Sequence, residues 1–123
     1  LTYQFSIKFG YIIDIGCFHM LSEDKQKEYV QKIYNLLNKD GKLLLRCFSE
    51  YGMRSNRFFD SRKECKNFPF ISFNNKEKIL SLFKDKFKII HNSDIFFIPI
   101  EENGKYKLVP SMYEFIFEKL PNA

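Results

Sequence analysis

Three short stretches of this chain carry residue types that do chemistry. The first is Asp14-Ile15-Gly16-Cys17-Phe18-His19, which places a carboxylate, a thiol and an imidazole close together. A carboxylate at the end of an apolar run is costly to bury without a partner. Asp14 therefore faces a polar ligand, holds the loop that does, or bonds to a neighbouring turn. His19 has the type and place for a proton acceptor or an orienting donor, although a loop histidine packed beside Met20 and Leu21 fits the same residues. Cys17 would act as a nucleophile only if something lowered its pKa. No histidine-plus-acid arrangement is readable, so it reads better as a small hydrophobe. The second stretch is Ser49-Glu50-Tyr51. The third is the aromatic group Phe68, Phe70 and Phe73 around Pro69, which either walls a pocket or pins a loop to the core. His91 has no metal-ligating companion at useful spacing and reads as a surface or turn residue.

These residues need elements to position them. Tyr11-Ile12-Ile13-Asp14-Ile15, ended by Gly16, is an unbroken β-branched run of the kind buried on both faces of a parallel sheet. Ser22-Glu23-Asp24 is a helix start, with Ser22 as cap and two acids at the positive end of the dipole. Tyr29, Val30, Ile33, Tyr34 and Leu37 repeat at helical spacing, and Asn38-Lys39-Asp40-Gly41 closes the helix with Gly41 as the left-handed residue. Residues 42–48 form a second buried strand, so strand, helix and strand make one right-handed βαβ unit. Residues 49–73 read as a long loop. Asn74-Asn75-Lys76-Glu77 is a capping box opening a second helix, with Ile79, Leu80, Leu82 and Phe83 inward. Residues 87–90 and 95–100 are strand material, compatible with one strand bent around Asn92-Ser93. Asn103-Gly104 is a tight-turn signal. Residues 112–119 alternate, with Glu114 and Glu118 on one face and Tyr113, Phe115 and Phe117 on the other, as a final antiparallel strand does. The order is β-α-β-α-β-β, an α/β half-sheet. In such a sheet ligands bind beyond the carboxyl ends of the strands, where the 14–19 and 49–51 stretches fall.

Composition narrows the function classes. At 123 residues the chain is one domain. With 15 Phe, 13 Ile and 16 Lys against 2 Val and 1 Ala, it carries the bias of an AT-rich gene, which inflates Phe and Lys without functional cause. The net charge of +5 is spread along the chain, and its densest basic stretch, residues 54–66, is broken by Asp60 and Glu64. That pattern favours a solvated surface over a nucleic-acid footprint. Three cysteines (Cys17, Cys47, Cys65) without a Cys-x-x-Cys pair argue against disulfides and a zinc site. They fit a reducing, cytoplasmic setting. No apolar run is long enough to cross a bilayer and no signal peptide is visible. The chain opens on Leu1 rather than Met, which points to sequence upstream.

The run Tyr11 to His19, the segment Leu36-Leu37-Asn38-Lys39-Asp40-Gly41 and the following Lys42-Leu43-Leu44-Leu45 together resemble class I S-adenosylmethionine-dependent methyltransferases. Within them the chain is similar to the small-molecule branch that includes thiopurine and tellurite-resistance methyltransferases. The likeness extends from Phe9 to Lys119. Gly10 stands where that branch usually has Asp, and Lys39-Asp40-Gly41 replaces its Pro-Gly-Gly. The resemblance implies the C-terminal half of a Rossmann-like methyltransferase sheet, with the last strand inserted between residues 42–48 and 87–100. It implies S-adenosylmethionine as cofactor, bordered by Asp14 and the Gly16-Cys17 backbone. Phe18, Tyr51 and Phe70 would face a small-molecule methyl acceptor, and His19 would act at the transfer site.

The same resemblance exposes what this chain lacks. The family's cofactor-binding glycine loop and ribose-binding acid precede the strand at which the chain begins, and its five glycines form no Gly-x-Gly. The expectation is a single partial domain over residues 1–123 that binds the cofactor weakly by itself. The alternative is a non-catalytic half-domain that joins a partner chain, or itself, through the edge of the 11–15 strand, which has no Lys, Pro or bulge to discourage pairing.

Overall fold

The computed structural model describes residues 7–52 and 74–121. Four strands form one sheet in the order β1-β2-β4-β3. β1 is Phe9–Ile15, β2 Leu37–Phe48, β3 Phe87–Glu102 and β4 Lys105–Lys119. Helix α1, Glu23–Leu36, joins β1 to β2, and helix α2, Lys76–Phe83, precedes β3. β1 and β2 are parallel, with Ile13 opposite Leu44, while β4 is antiparallel to both β2 and β3. The expected element order and the insertion of the last strand between the second and third are both observed.

Both helices pack on one face of the sheet. Tyr29, Val30 and Ile33 of α1 and Ile79 and Phe83 of α2 share a core with Leu43, Leu45, Cys47, Tyr113, Phe115 and Phe117. The Phe83 and Phe117 rings stack at 4.2 Å, and Phe115 follows at 5.3 Å from Phe117. Such pairs add roughly 0.5–1.5 kcal/mol each beyond the area they bury, so part of the phenylalanine excess is structural. The alternation expected for β4 holds: Glu114 and Glu118 point to the other face, where Glu114 accepts from Arg46 Nε at 2.6 Å.

Local signals erred where the sheet imposed its own demands. α1 stops at Leu36 rather than residue 38, because Leu37 turns extended and is fully buried at the start of β2. The left-handed residue there is Asp40, with φ 61°, not Gly41. Gly41 is required for space: a Cβ on it would lie 2.8 Å from the Asn38 carbonyl oxygen. Ser22 occupies the N-cap of α1 without a side-chain cap bond. At α2 the cap is Asn75, whose side chain accepts from the Lys78 N–H at 2.9 Å, so Glu77 falls one place short of a capping box. β3 is one continuous strand, irregular between Ile89 and His91 rather than at Asn92-Ser93. Asn103 and Gly104 both take positive φ, 54° and 75°, as a two-residue hairpin turn requires.

Candidate functional site

The carboxyl end of β1 is braced by Asp14. This residue is 7% exposed, and its two oxygens are both engaged. Oδ1 accepts from the Cys17 N–H at 2.9 Å, and Oδ2 accepts from the Tyr29 hydroxyl. Asp14 therefore ties the turn after β1 to helix α1. Between them Gly16 takes φ 101°, a region that favours glycine, while its N–H extends the ladder to the Arg46 carbonyl at 3.3 Å. Burial, and then the Asp14 charge, push the Tyr29 hydroxyl far above its ordinary range. The same two causes push the buried Cys47 thiol up to about 12.

His19 sits in a single 3-10 turn, Phe18–Met20, and is buried. Its Nδ1 accepts from the Phe48 N–H at 3.0 Å, and its ring stacks on Phe48 at 4.0 Å. Burial holds its pKa below 6.5, against an opposing pull from Asp14. With Nδ1 accepting a proton-bearing neighbour, the neutral ring carries its own proton on Nε2. In that tautomer His19 is a hydrogen-bond donor and not a base. Gly16 lies against that ring edge, since a Cβ there would be 3.9 Å from both Cε1 and Nε2.

The carboxyl end of β2 is pinned to β4. Ser49 donates its N–H to the Ser111 carbonyl at 3.0 Å and its hydroxyl to the Pro110 carbonyl at 2.6 Å. The Tyr51 N–H donates to the Ser49 hydroxyl at 3.0 Å, and Tyr113 donates to Glu50. Burial and this Glu50 bond drive the Tyr113 hydroxyl upward.

The expected site residues are therefore only partly together. Asp14, Gly16, Cys17 and His19 share the β1 turn, with Cys17 exposed. Tyr51 is half-buried near the end of β2. Phe18 is fully buried between the Tyr29 and Phe83 rings, at 5.4 and 5.7 Å, and so serves the core instead of an acceptor wall. Phe70, with Phe68 and Phe73, lies outside the described residues. Tyr29, Phe48 and Tyr113 were not expected here; Tyr29 and Tyr113 read as core stripe, and only strand register and helix packing bring them to Asp14, His19 and Glu50. A groove of about 870 Å³ runs along β1 beneath α1, lined by Ile13, Asp14, Ile15, Cys17, Lys25 and Lys32 among others. Among the described residues no helix is long and apolar enough to cross a membrane.

Known structures place this architecture. A methyltransferase from Clostridium acetobutylicum superposes with a TM-score of 0.67 at 13% identity, over 95% of this chain and 61% of that one. The fold is that of S-adenosylmethionine-dependent methyltransferases. N-methyltransferase NodS of Bradyrhizobium japonicum, solved with S-adenosyl-L-homocysteine, gives a TM-score of 0.58 at 8% identity, over 96% of this chain and 50% of NodS. TehB of Haemophilus influenzae gives a TM-score of 0.58 at 12% identity, over 94% of this chain and 37% of TehB. No protein-family model and no curated protein matches the chain. The chain spans about half the length of the first methyltransferase-fold structures it resembles.

Proposed function

We propose that this chain is the acceptor-side half of an S-adenosylmethionine-dependent methyltransferase domain acting on a small-molecule nucleophile. The observation that carries this reading is the Asp14-braced turn, which presents Gly16 and exposed Cys17 at the carboxyl end of a parallel strand beside His19. When bound, the cofactor would supply an electrophilic methyl group on a sulfonium. Of the residues expected to border it, the Gly16-Cys17 backbone fits. The Asp14 carboxylate does not, because both its oxygens are already engaged. Its role is to hold the turn. His19, protonated on Nε2, orients an acceptor heteroatom by donating to it, and Tyr51 lies on the acceptor side. Methyl transfer is an in-line displacement, so positioning and water exclusion are the main tasks left to the protein. This reading takes the setting as cytoplasmic and the partner as a small-molecule acceptor, with the spread of the +5 net charge favouring a solvated surface over a nucleic-acid footprint.

Calorimetry with S-adenosyl-L-homocysteine tests this reading. The 123-residue chain alone should bind weakly or not at all, and a longer product of the same reading frame should bind and methylate some member of a panel of thiols, amines and phenols. Low-micromolar binding by the 123-residue chain would mean that other elements hold the cofactor. Absence of binding by both proteins would sink the assignment.

A second reading, a non-catalytic interaction module, is favoured by β1. Among the described residues no strand pairs with its outer edge, and Ile13 and Ile15 beside it are 62% and 60% exposed. The opposite edge, β3, is blunted by its irregularity after Ile89, by the left-handed Phe96 and by Pro99. β1 is irregular only at its start, between Phe9 and Tyr11, and over residues 11–15 it has no Lys, Pro or bulge, so that stretch is the edge at which another strand would join.

A further inference from the structure

Ser49, Glu50, Tyr51 and Gly52 make a tight turn at the carboxyl end of β2, closed by the Gly52 N–H on the Ser49 carbonyl at 3.0 Å. The turn is held at both ends. Ser49 is fully buried and bonds the Pro110 and Ser111 carbonyls of β4, while its hydroxyl takes the Tyr51 N–H. Gly52 packs on Phe48, where a Cβ would fall 2.7 Å from the Phe48 Cβ. Phe48 is also the residue that stacks on His19 and bonds its Nδ1. One side chain thus supports both His19 and the turn that carries Glu50.

Glu50 is half-buried, and one of its oxygens is anchored: Oε1 accepts from the hydroxyl of Tyr113, which is buried on β4. Tyr113 is the one side-chain partner of Glu50 among the described residues. Lys76 stands over the Tyr113 ring at 5.2 Å, yet it pairs with Asp94 at 2.6 Å and so is spent on a different acid. Glu50 therefore keeps its charge and its Oε2 for a donor from outside. A carboxylate fixed in this way is aimed before anything binds, which is what a group acting on a bound molecule requires.

We propose that Glu50 is a catalytic residue whose Oε2 holds the nucleophilic nitrogen of the methyl acceptor, and that the acceptors of this chain are amines. The proposal rests on the methyl-transfer reading above and narrows its substrate class. An amine attacks through its lone pair, so that pair must face the methyl group while the N–H hydrogens bond to the protein. His19, protonated on Nε2, is a donor and does not accept them; Glu50 Oε2 does. His19 is then left to donate to a second heteroatom of the acceptor molecule. As the lone pair forms the N–C bond, the C–S bond of the sulfonium breaks and its electron pair stays on sulfur. Positive charge moves from sulfur to nitrogen, and one proton of the resulting methylammonium leaves to water past Oε2. The carboxylate thus meets more charge in the transition state than in the ground state, the condition for catalysis. Thiols and phenols gain nothing comparable. Their reactive forms are anions, which Glu50 repels, and a carboxylate is a weak base for their protons.

The longer product of the reading frame tests this, given S-adenosylmethionine and a panel of ether-bearing primary amines led by 2-methoxybenzylamine, beside thiols and phenols of matched skeleton. Amines should be methylated at least about 10-fold faster than their matched thiols and phenols. Glu50→Gln, which keeps an oxygen for the Tyr113 hydroxyl, should lower kcat/KM for the amine about 100-fold. Its affinity for S-adenosyl-L-homocysteine should stay unchanged, which separates lost chemistry from lost folding. Should Glu50→Gln lose that affinity, Tyr113→Phe takes its place. Tyr113 is a positioning residue, so its loss should lower kcat about 10-fold while KM and homocysteine-product binding stay within about twofold of the parent. Preference for thiols or phenols overturns this inference and leaves the methyl-transfer reading standing. So does full activity on amines in both Glu50→Gln and Tyr113→Phe. Cofactor binding with no amine methylated also overturns it, and absence of cofactor binding fells the reading and the inference together.

Discussion

The Tyr29 hydroxyl on α1 donates to the Asp14 carboxylate at the end of β1, across a separation of 15 residues in sequence. The other Asp14 oxygen takes the Cys17 N–H. One buried carboxylate thus fixes both where the helix lies and how the turn is shaped. The hydroxyl is also the only side-chain donor recorded for Asp14 among the described residues.

Removing that hydroxyl leaves Asp14 buried with a lone pair unmet. Tyr29→Phe should therefore destabilise the fold by about 1–3 kcal/mol, the usual cost of stranding a buried charged acceptor. Urea unfolding of the two proteins measures it. A change within a few tenths of a kcal/mol would show that water replaces the hydroxyl.

His19 makes stability depend on pH. Its folded pKa lies below 6.5, because burial disfavours the imidazolium. Above pH 6.5 both folded and unfolded forms are neutral and the contribution is complete. As pH falls below that value the unfolded chain binds a proton that the folded ring resists, so stability is lost until the folded pKa is passed. His19→Asn should flatten this part of the profile. Denaturation midpoints between about pH 8 and about pH 5 would reveal it, and equal slopes in both proteins would refute the assignment.

The segment after α1 separates two roles that glycine can play. Asp40 holds the positive φ, so Asp40→Gly should be neutral or stabilise by up to about 1 kcal/mol. Gly41 is crowded by Asn38 and Leu37, so Gly41→Ala should cost roughly 1–3 kcal/mol. In thermal melts Gly41→Ala should fall below the parent protein, while Asp40→Gly should match or exceed it. The reverse order would mean that the left-handed residue is Gly41 after all.

The two cysteines in the described region should react very differently with thiol reagents. Cys17 is exposed on the β1 turn, whereas Cys47 is buried and its thiol is pushed up to about 12. In a Cys65→Ser protein near neutral pH, iodoacetamide should modify Cys17 readily and Cys47 only through unfolding. Peptide mapping by mass spectrometry over time would check this. Comparable early labelling of Cys47 would show that β2 opens.

Much of this protein follows from local pattern. The β-branched run ending at Ile15, the helical stripe through Tyr29 and Ile33, and the alternation of Phe115 and Phe117 against Glu114 and Glu118 each set one element. Their order set the sheet. These signals are legible because the period of apolar residues is a property of neighbours along the chain. What Asp14 and His19 do was not legible. The sequence left Asp14 open between ligand and turn, and the packing of α1 on β1 assigned its oxygens to Tyr29 and Cys17. It left His19 open between base and donor, and the position of Phe48 on the neighbouring strand decided which nitrogen holds the proton. Phe18, expected at an acceptor, was drawn into the core by rings far away in sequence. The reason is common to all three. A polar or aromatic side chain is assigned its role by partners brought near through strand register and helix packing, and those distances exist only once the chain has folded.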